Sequence, residues 1–293
     1  MKLTQVINPF CAPPGTMTAR TLAVANEAML RAIQFAAEHA PGLQIEVVAA
    51  HLPEDEPSIP SFVHSRGTLS RTLMDVTDRL PRRKLPLIGD ILSIGATVGT
   101  GDLLIYSNSD IGVQPHFYTT IADMASSTPS MGINRRNIDR DMTDLSQLHQ
   151  MYAEPGIASL VGTDTFIFPR QHALGFDLGH VAIALPMIEY AVMANMDAAS
   201  GFRTKLYRDL QLTFHHGHDG VWNQQAALCE FNENGVRDVC RRLFKLHPKY
   251  PAGSLFDIML STRAGVAPKG TKALRYKLLK AIGLASKKPR GYS

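Results

Sequence analysis

Strand-like and helix-like segments alternate along the first half of the sequence, and this alternation constrains the fold more than any other feature. Residues 3–7, 44–50 and 101–106 are short apolar runs typical of buried strands. Residues 18–40, between the first two runs, place apolar side chains on one helical face. The pattern predicts crossover units and therefore an α/β fold, with a mostly parallel sheet flanked by helices.

The composition favours a soluble globular protein. The 293 residues are 45% hydrophobic and 19% charged. No apolar run is long enough to predict a spanning helix, and the first residues lack the apolar segment of a signal peptide. Three cysteines without paired spacing favour a reduced setting over a disulfide framework or a zinc knuckle. We expect a cytoplasmic protein with a catalytic domain over residues 1–250 and a C-terminal extension over 251–293.

The positive charge of the chain is concentrated near its end. Residues 269–290 contain eight of the 30 Lys and Arg residues and no acidic residue, so the rest of the chain is mildly acidic. This distribution gives no support to nucleic-acid binding by the main domain. Residues 272–284 predict a basic amphipathic helix. Such a helix suits peripheral contact with the anionic inner face of a membrane, or packing on the domain through its leucines.

Polar residues follow several predicted strands directly. Asn8 follows the first strand, 54–56 the second, 108–110 the third, and 215–219 a later strand at 211–214. Ligands of parallel sheets bind beyond the carboxyl ends of the strands. We therefore expect these residues to converge on one edge of the sheet.

The Asn108-Ser109-Asp110 segment allows two interpretations. A hard divalent cation needs only one or two carboxylates when water and phosphate oxygens complete its shell, so Asp110 can be a metal ligand. The same residue types are also common in turns, where Asp110 would cap the following helix. Spacing alone does not choose between these interpretations.

Several segments resemble glycosyltransferases of the GT-A fold: Asn8-Pro9-Phe10, residues 89–92, and residues 101–111 with their Asn-Ser-Asp ending. The resemblance implies a GT-A-like, Rossmann-type fold that uses Mn²⁺ or Mg²⁺ and a nucleoside-diphosphate sugar. The acceptor would be a glycan or lipid-linked molecule, as in polysaccharide biosynthesis. In that family an Asp-x-Asp motif at the end of a central strand holds the metal. Here Asn108 replaces the first acid, so Asp110 alone matches the metal-binding carboxylate.

The resemblance and the residue chemistry together give a set of candidate site residues. Nucleotide-sugar binding is predicted for Asn8, Pro9, Glu54, Glu56, Arg83, Asn108, Ser109, Asp110 and Trp222. The acids after the second strand would bind base or ribose, the basic residue would neutralise diphosphate charge, and the tryptophan would stack on a ring. Each also has a simpler interpretation as a turn, a solvated loop or a core residue.

Metal binding is predicted for Asp110 together with His215 and His218, and the catalytic base for Asp164 or Asp177. Both aspartates adjoin apolar segments, and each is also a plausible turn residue. Two other functions stay open. One is a non-catalytic nucleotide-sugar-binding module, and the other is a metal-dependent hydrolase that uses the His215–Asp219 cluster.

Overall fold

A computed structural model of the chain describes residues 1–139, 141–217 and 226–262. The described residues form one mixed sheet with helices on both faces. Its strands are β1 (Lys2–Ile7), β2 (Gln44–His51), β3 (Ser65–Thr68), β4 (Leu103–Ser107), β5 (Gly112–Val113), β6 (Met131–Ile138), β7 (Ile157–Pro169), β8 (Lys205–Tyr207) and β9 (Thr213–His216). All of them run in one direction except β5 and β7, so the mostly parallel α/β fold is confirmed.

The helices fall on the two faces of this sheet. They are α1 (Met17–His39), α2 (Leu73–Val76), α3 (Ile88–Val98), α4 (Phe117–Ala125), α5 (Leu148–Ala153), α6 (Ile188–Ala199), α7 (Ala226–Leu246) and α8 (Leu255–Thr262). Alternate residues of a strand face opposite sides. Leu3 and Ile7 of β1 therefore join a core with α1 and α4, whereas Val6 joins a core with α3, α6 and α7.

The order of the strands determines which side chains can meet. The sheet reads β3-β2-β1-β4-β7-β6-β9-β5, with β8 also paired to β6. Strand β7 lies antiparallel between β4 and β6, and Ser107 at the end of β4 pairs with Thr165. Residues that precede Thr165 along β7 therefore lie at the edge where β4 ends.

An irregularity in the β6–β7 pairing affects Asp164. Ile133 of β6 pairs with Thr165 and Asn134 pairs with Thr163, so Asp164 has no pairing partner on β6. Bulges of this kind re-aim side chains, often next to active sites.

The C-terminal part of the described chain packs on the same core. Phe256 of α8 is fully buried beside Phe202 and Tyr250, and its amide donates to the carboxylate of Asp197 at 2.8 Å. The predicted basic helix, and the segment 269–290 expected to contact a membrane, lie outside the described residues. Across the described ranges no helix has both the length and the apolar character needed to span a membrane.

The packing of α3 against the sheet generates a test. A Cβ at Gly95 would lie 2.3 Å from Cγ2 of Val6 and 3.0 Å from Cδ1 of Leu104. Overpacking of this kind costs about 1–3 kcal/mol, which exceeds the helix-propensity gain of about 1 kcal/mol. We expect Gly95→Ala to lower the free energy of unfolding in urea, whereas Gly42→Ala, with no atom within 4 Å of its Cβ, should not.

Candidate functional site

The ends of β1, β2 and β4 are tied together by side chains. Asn8 is 5% exposed, and its Nδ2 donates to the carbonyl of Ala50 at 2.6 Å. The hydroxyl of Ser109 donates to the carbonyl of Asn8. The Ile111 amide closes a turn on the Asn108 carbonyl at 3.1 Å. These bonds bring the loop after β1 next to the loop after β4, on the edge that the sequence predicted.

Asp110 and His215 meet at this edge. Oδ2 of Asp110 lies 3.3 Å from Nε2 of His215, whose side chain is 3% exposed. Nδ1 of His215 lies 3.2 Å from the carbonyl of Gly217. A carbonyl can only accept, so Nδ1 carries the hydrogen and Nε2 is the nitrogen turned towards Asp110. Nε2 can then donate to the carboxylate as part of an imidazolium, or share a cation with it.

The pairing of β5 with β9 sets the spacing of these two side chains. Gly112 pairs with Phe214 and Val113 with Thr213. Asp110 precedes Gly112 and His215 follows Phe214, so both lie at the same end of this two-residue antiparallel ladder. A Cβ at Gly112 would lie 2.3 Å from the Phe214 ring. Only glycine allows the two strands to approach this closely.

The Asp110 carboxyl is held ionised. Burial raises its pKa, but the hydrogen bond and charge of His215, with the charge of Arg135, lower the pKa below its usual value in total. A carboxylate is therefore present at neutral pH, as a metal ligand requires.

Asp164 lies beside this pair. Nδ2 of Asn108 donates to its Oδ1 at 3.1 Å, and Nη1 of Arg135 donates to its Oδ2 at 2.5 Å. Burial raises the pKa of the Asp164 carboxyl, and the nearby charge of Arg135 only partly opposes this. Asp110 and Asp164 thus differ in the direction of their pKa shifts, which is common for carboxylates with different roles in one site.

Arg135 contacts this group of side chains but was not among the residues predicted from the sequence. Its Nε donates to Oδ1 of Asn137 at 3.1 Å, and its side chain is 17% exposed. The neighbouring Arg136 is buried, and its Nη2 donates to the carbonyls of Met151 and Tyr152. The available signal was the tandem of Arg135 and Arg136 in β6, because successive strand residues face opposite sides and one of the two must therefore face the site.

The three acidic residues after β2 have different contacts. Glu54 pairs with Lys84 at 2.5 Å and Glu56 with Arg66 at 3.0 Å, all on the surface. Asp55, which was not a candidate, accepts from the Cys11 amide at 2.8 Å and so holds the loop after β1. The nucleotide contacts of Glu54 and Glu56 stay predictions.

The remaining candidates have separate surroundings. Asp177 forms a two-pronged ion pair with Arg242 of α7, at 2.5 and 2.7 Å, and this hydrogen bonding lowers the pKa of its carboxyl. Its main-chain amide and carbonyl bond Asn195 of α6. Asp177 therefore connects α6 to α7. Arg83 is half-buried, and its carbonyl accepts from the Leu85 amide. His218 and Trp222 lie outside the described residues.

A cleft of about 210 Å³ opens between the loop after β1 and helix α1. Its lining residues are Ile7, Pro9, Phe10, Ala12, Ala19, Leu22, Ala23, Asn26, Ser58 and Ser109. Four of these, at positions 19, 22, 23 and 26, share one face of α1. Pro9 and Ser109 were predicted to bind the nucleotide, whereas Phe10, 39% exposed, and Asn26 were not.

The spacing of Asp110 and His215 fits two ligands of one divalent cation. In the described ranges no cluster joins three or more His, Cys, Asp or Glu side chains as a metal site would. Asp110 and His215 nevertheless offer one oxygen and one nitrogen 3.3 Å apart. Neighbouring ligands about 2.1 Å from an octahedral ion stand roughly 3 Å apart, and Mg²⁺ keeps several waters or phosphate oxygens. Two protein ligands at this spacing are compatible with Mn²⁺ or Mg²⁺.

Two solved glycosyltransferases of the GT-A fold have the same architecture. S. aureus TarS 1-349 in complex with UDP-GlcNAc matches with a TM-score of 0.53 and 10% identity, over 96% of this chain and 80% of that one. Mannosyl-3-phosphoglycerate synthase from Rubrobacter xylanophilus matches with a TM-score of 0.50 and 14% identity, over 85% and 76%. No family model and no curated protein matches the sequence. At this identity the likeness shows the fold, and it confirms the GT-A-like prediction.

The Arg135–Asp164 pair generates a pH-dependent prediction. Arg135→Met leaves a buried carboxylate without its cation, which should cost about 1–3 kcal/mol of stability. Loss of the cation also raises the pKa of Asp164 further, so the folded variant keeps a proton that the unfolded chain releases. Its stability relative to wild type should therefore fall as pH rises from about 4 to 7.

Urea unfolding at several pH values measures this difference. Arg31→Met is the matched control, because Arg31 pairs with Glu27 on the exposed face of α1. It should change stability by less than about 0.5 kcal/mol at every pH. An equal effect of both substitutions would contradict the role given to Arg135.

Proposed function

We propose that this protein transfers a sugar from a nucleoside-diphosphate sugar to a hydroxyl of a glycan or lipid-linked acceptor. The observation that carries the proposal is the Asp110–His215 pair beside the Asp164–Arg135 pair, on the carboxyl edge of a GT-A sheet. The nucleotide sugar seen with TarS supports a donor of this class. Arg135, Asp164 and His215 lie on strands of the sheet, which supports a site that is largely formed before a ligand arrives.

Asp110 and His215 would hold Mn²⁺ or Mg²⁺ in this proposal. Asp110 supplies the negative charge and His215 the nitrogen, whose orientation the Gly217 carbonyl fixes. A bound cation would offset the charge that develops on the leaving diphosphate. His218 remains a proposed additional ligand.

The nucleotide end of the donor would occupy the cleft beside α1. Ser109 lines that cleft and is the neighbour of Asp110 in sequence, and this adjacency supports a ligand that reaches from the cleft to the proposed metal ligands. Apolar walls with a few polar groups suit a base, and Phe10 offers an exposed ring for stacking. The side chain of Asn8 would act indirectly, since its amide holds the loop in place.

Asp164 is the better-supported candidate for the base that activates the acceptor hydroxyl. A general base is more effective when its pKa is raised towards the working pH, and burial shifts Asp164 in that direction. Each carboxylate oxygen has more than one lone pair, so the bonds from Asn108 and Arg135 orient the group and leave acceptor capacity. Asp177, whose two oxygens both bind Arg242, is the weaker candidate.

One observation favours a non-catalytic binding module as the second candidate. Both oxygens of Asp164 already accept hydrogen bonds, as in a purely structural carboxylate. Detectable transfer or donor hydrolysis by the wild-type protein would exclude this alternative. A hydrolase would require His218 and Asp219, which lie outside the described residues.

The Asp110 carboxylate is the first target for a test. Asp110→Ala removes the only charged ligand of the proposed cation, so the Tm increase given by Mn²⁺ with a nucleoside diphosphate should disappear. Thermal-shift titrations with UDP, GDP, CDP and ADP, with and without Mn²⁺, measure this effect and also report the preferred base. Asp123→Ala, on the exposed side of α4, should behave as wild type. Metal-dependent stabilisation that persists in Asp110→Ala would count against the proposed site.

The cleft generates an independent prediction. Ala23→Leu adds three carbon atoms to the wall of the cleft and should weaken nucleotide binding at least about tenfold, a loss of about 1.4 kcal/mol. Ala37→Leu adds the same group to an exposed position further along α1 and should have no effect. Calorimetric titration of each variant with the preferred nucleoside diphosphate compares them. Unchanged affinity in Ala23→Leu would place the nucleotide elsewhere.

A further inference from the structure

Asn108 uses both ends of its amide in the described structure. Its Nδ2 donates to Oδ1 of Asp164 at 3.1 Å, and its Oδ1 accepts from the hydroxyl of Tyr106 at 3.2 Å. A carboxylate at this position could accept from the tyrosine, but it has no hydrogen to donate to Asp164. With Asp164 ionised, these two hydrogen bonds need a side chain at 108 that both donates and accepts, as an amide does. The family motif that this segment resembles has an acid here.

We propose that Asn108 is a positioning residue that acts through Asp164 and is not a weakened metal ligand. Its amide holds the Asp164 carboxylate at the edge of the sheet, beside Asp110. The inference deepens the proposed function and rests on it in one respect, that Asp164 serves the reaction.

A rigid part of the core fixes the positions of the two partners. Tyr106 lies on β4 and is 1% exposed, and its ring stacks on that of Phe166 of β7 with centroids 6.3 Å apart. Tyr106 lies two residues before Asn108, and Phe166 lies two residues after Asp164. A movement of either backbone away from the other would disturb this packing.

The charges at the site explain why an acid at 108 would be unfavourable. Asp110 and Asp164 are close enough that the charge of Asp110 raises the pKa of Asp164. Arg135 is the cation that pairs with Asp164 in the described structure. An Asp at 108 would add a third carboxylate, with an oxygen about 3 Å from that of Asp164, where like charges repel strongly.

The proposal predicts an unusual result for Asn108→Asp, the substitution that restores an Asp-x-Asp motif. If position 108 were a metal ligand, this change would improve Mn²⁺-dependent activity. We expect instead a decrease in the Tm of the metal-free protein of about 4 °C or more, because a hydrogen bond becomes a repulsive contact. Asn234→Asp, on the exposed face of α7 and bonded to Arg237, is the matched control and should leave the Tm unchanged.

The exchange of both residues tests the contact itself. In the double variant Asn108→Asp with Asp164→Asn, the donor and the acceptor change places and the hydrogen bond can form again. We expect this variant to recover at least half of the Tm lost in Asn108→Asp. A loss equal to the sum of the two single substitutions would overturn the proposed contact.

Kinetics of donor turnover separate positioning from simple structural support. Asn108→Ala should lower kcat about tenfold or more with little change in the KM of the donor. In the Asp164→Asn background, the same substitution should have no further effect on kcat. Additive losses, a raised donor KM, or higher Mn²⁺-dependent activity in Asn108→Asp would overturn the inference.

The two readouts also distinguish this inference from the proposed function. If the wild-type protein turns over no nucleotide sugar, the proposed transfer is wrong, and the positioning role fails with it because Asp164 then serves no reaction. If turnover is observed but the effects of positions 108 and 164 are additive, only the role of Asn108 is wrong.

Discussion

The reversed direction of β7 is the constraint on which the site depends. A parallel strand between β4 and β6 would begin at the far edge of the sheet, and Asp164 would then lie away from Asp110. Because β7 runs antiparallel, its residues just before Thr165 lie where β4 ends. Asp164 also has no pairing partner on β6. At such a bulge a side chain need not follow the alternation of faces along the strand, so Asp164 can point towards the site.

Two kinds of bonding then stabilise the edge. The tie from Asn8 to Ala50 and from Ser109 to Asn8 joins three strand ends through neutral groups. The Arg135–Asp164 pair joins two charged groups, the Asp110–His215 pair contains one carboxylate, and both pairs are only partly exposed. Neutral bonds of this kind hold the loops at any pH, whereas the charged pairs respond to pH and to cations. The neutral hydrogen bonds therefore hold the loops at this edge in place, and the ionisable pairs are the groups available to bind a ligand or a cation.

The sequence predicted the positions of the main strands better than it predicted the side-chain contacts at their ends. Alternating apolar segments located β1, β2 and β4, and the rule that ligands bind beyond strand ends brought Asn8, Asp110 and His215 to one edge. Arg135 was missed because a tandem of arginines gives no sign of which one faces a site. Direction and register were also not predictable, since β5 has two residues and β7 shows no local signal for its antiparallel course. Those properties arise from pairing between distant segments, and short-range periodicity does not contain them.

Gly112 shows how a residue without a side chain can govern a site that it never touches. Its closeness to the Phe214 ring allows β5 to pair with β9, and that pairing sets the distance between Asp110 and His215 at one end of the two strands. In a saturation-mutagenesis experiment this position should tolerate fewer amino acids than many ligand-contacting positions. Intolerance to substitution at Gly112 would then reflect the close approach of two backbones. A map of mutational sensitivity would show this position as strongly as the positions of the reactive side chains.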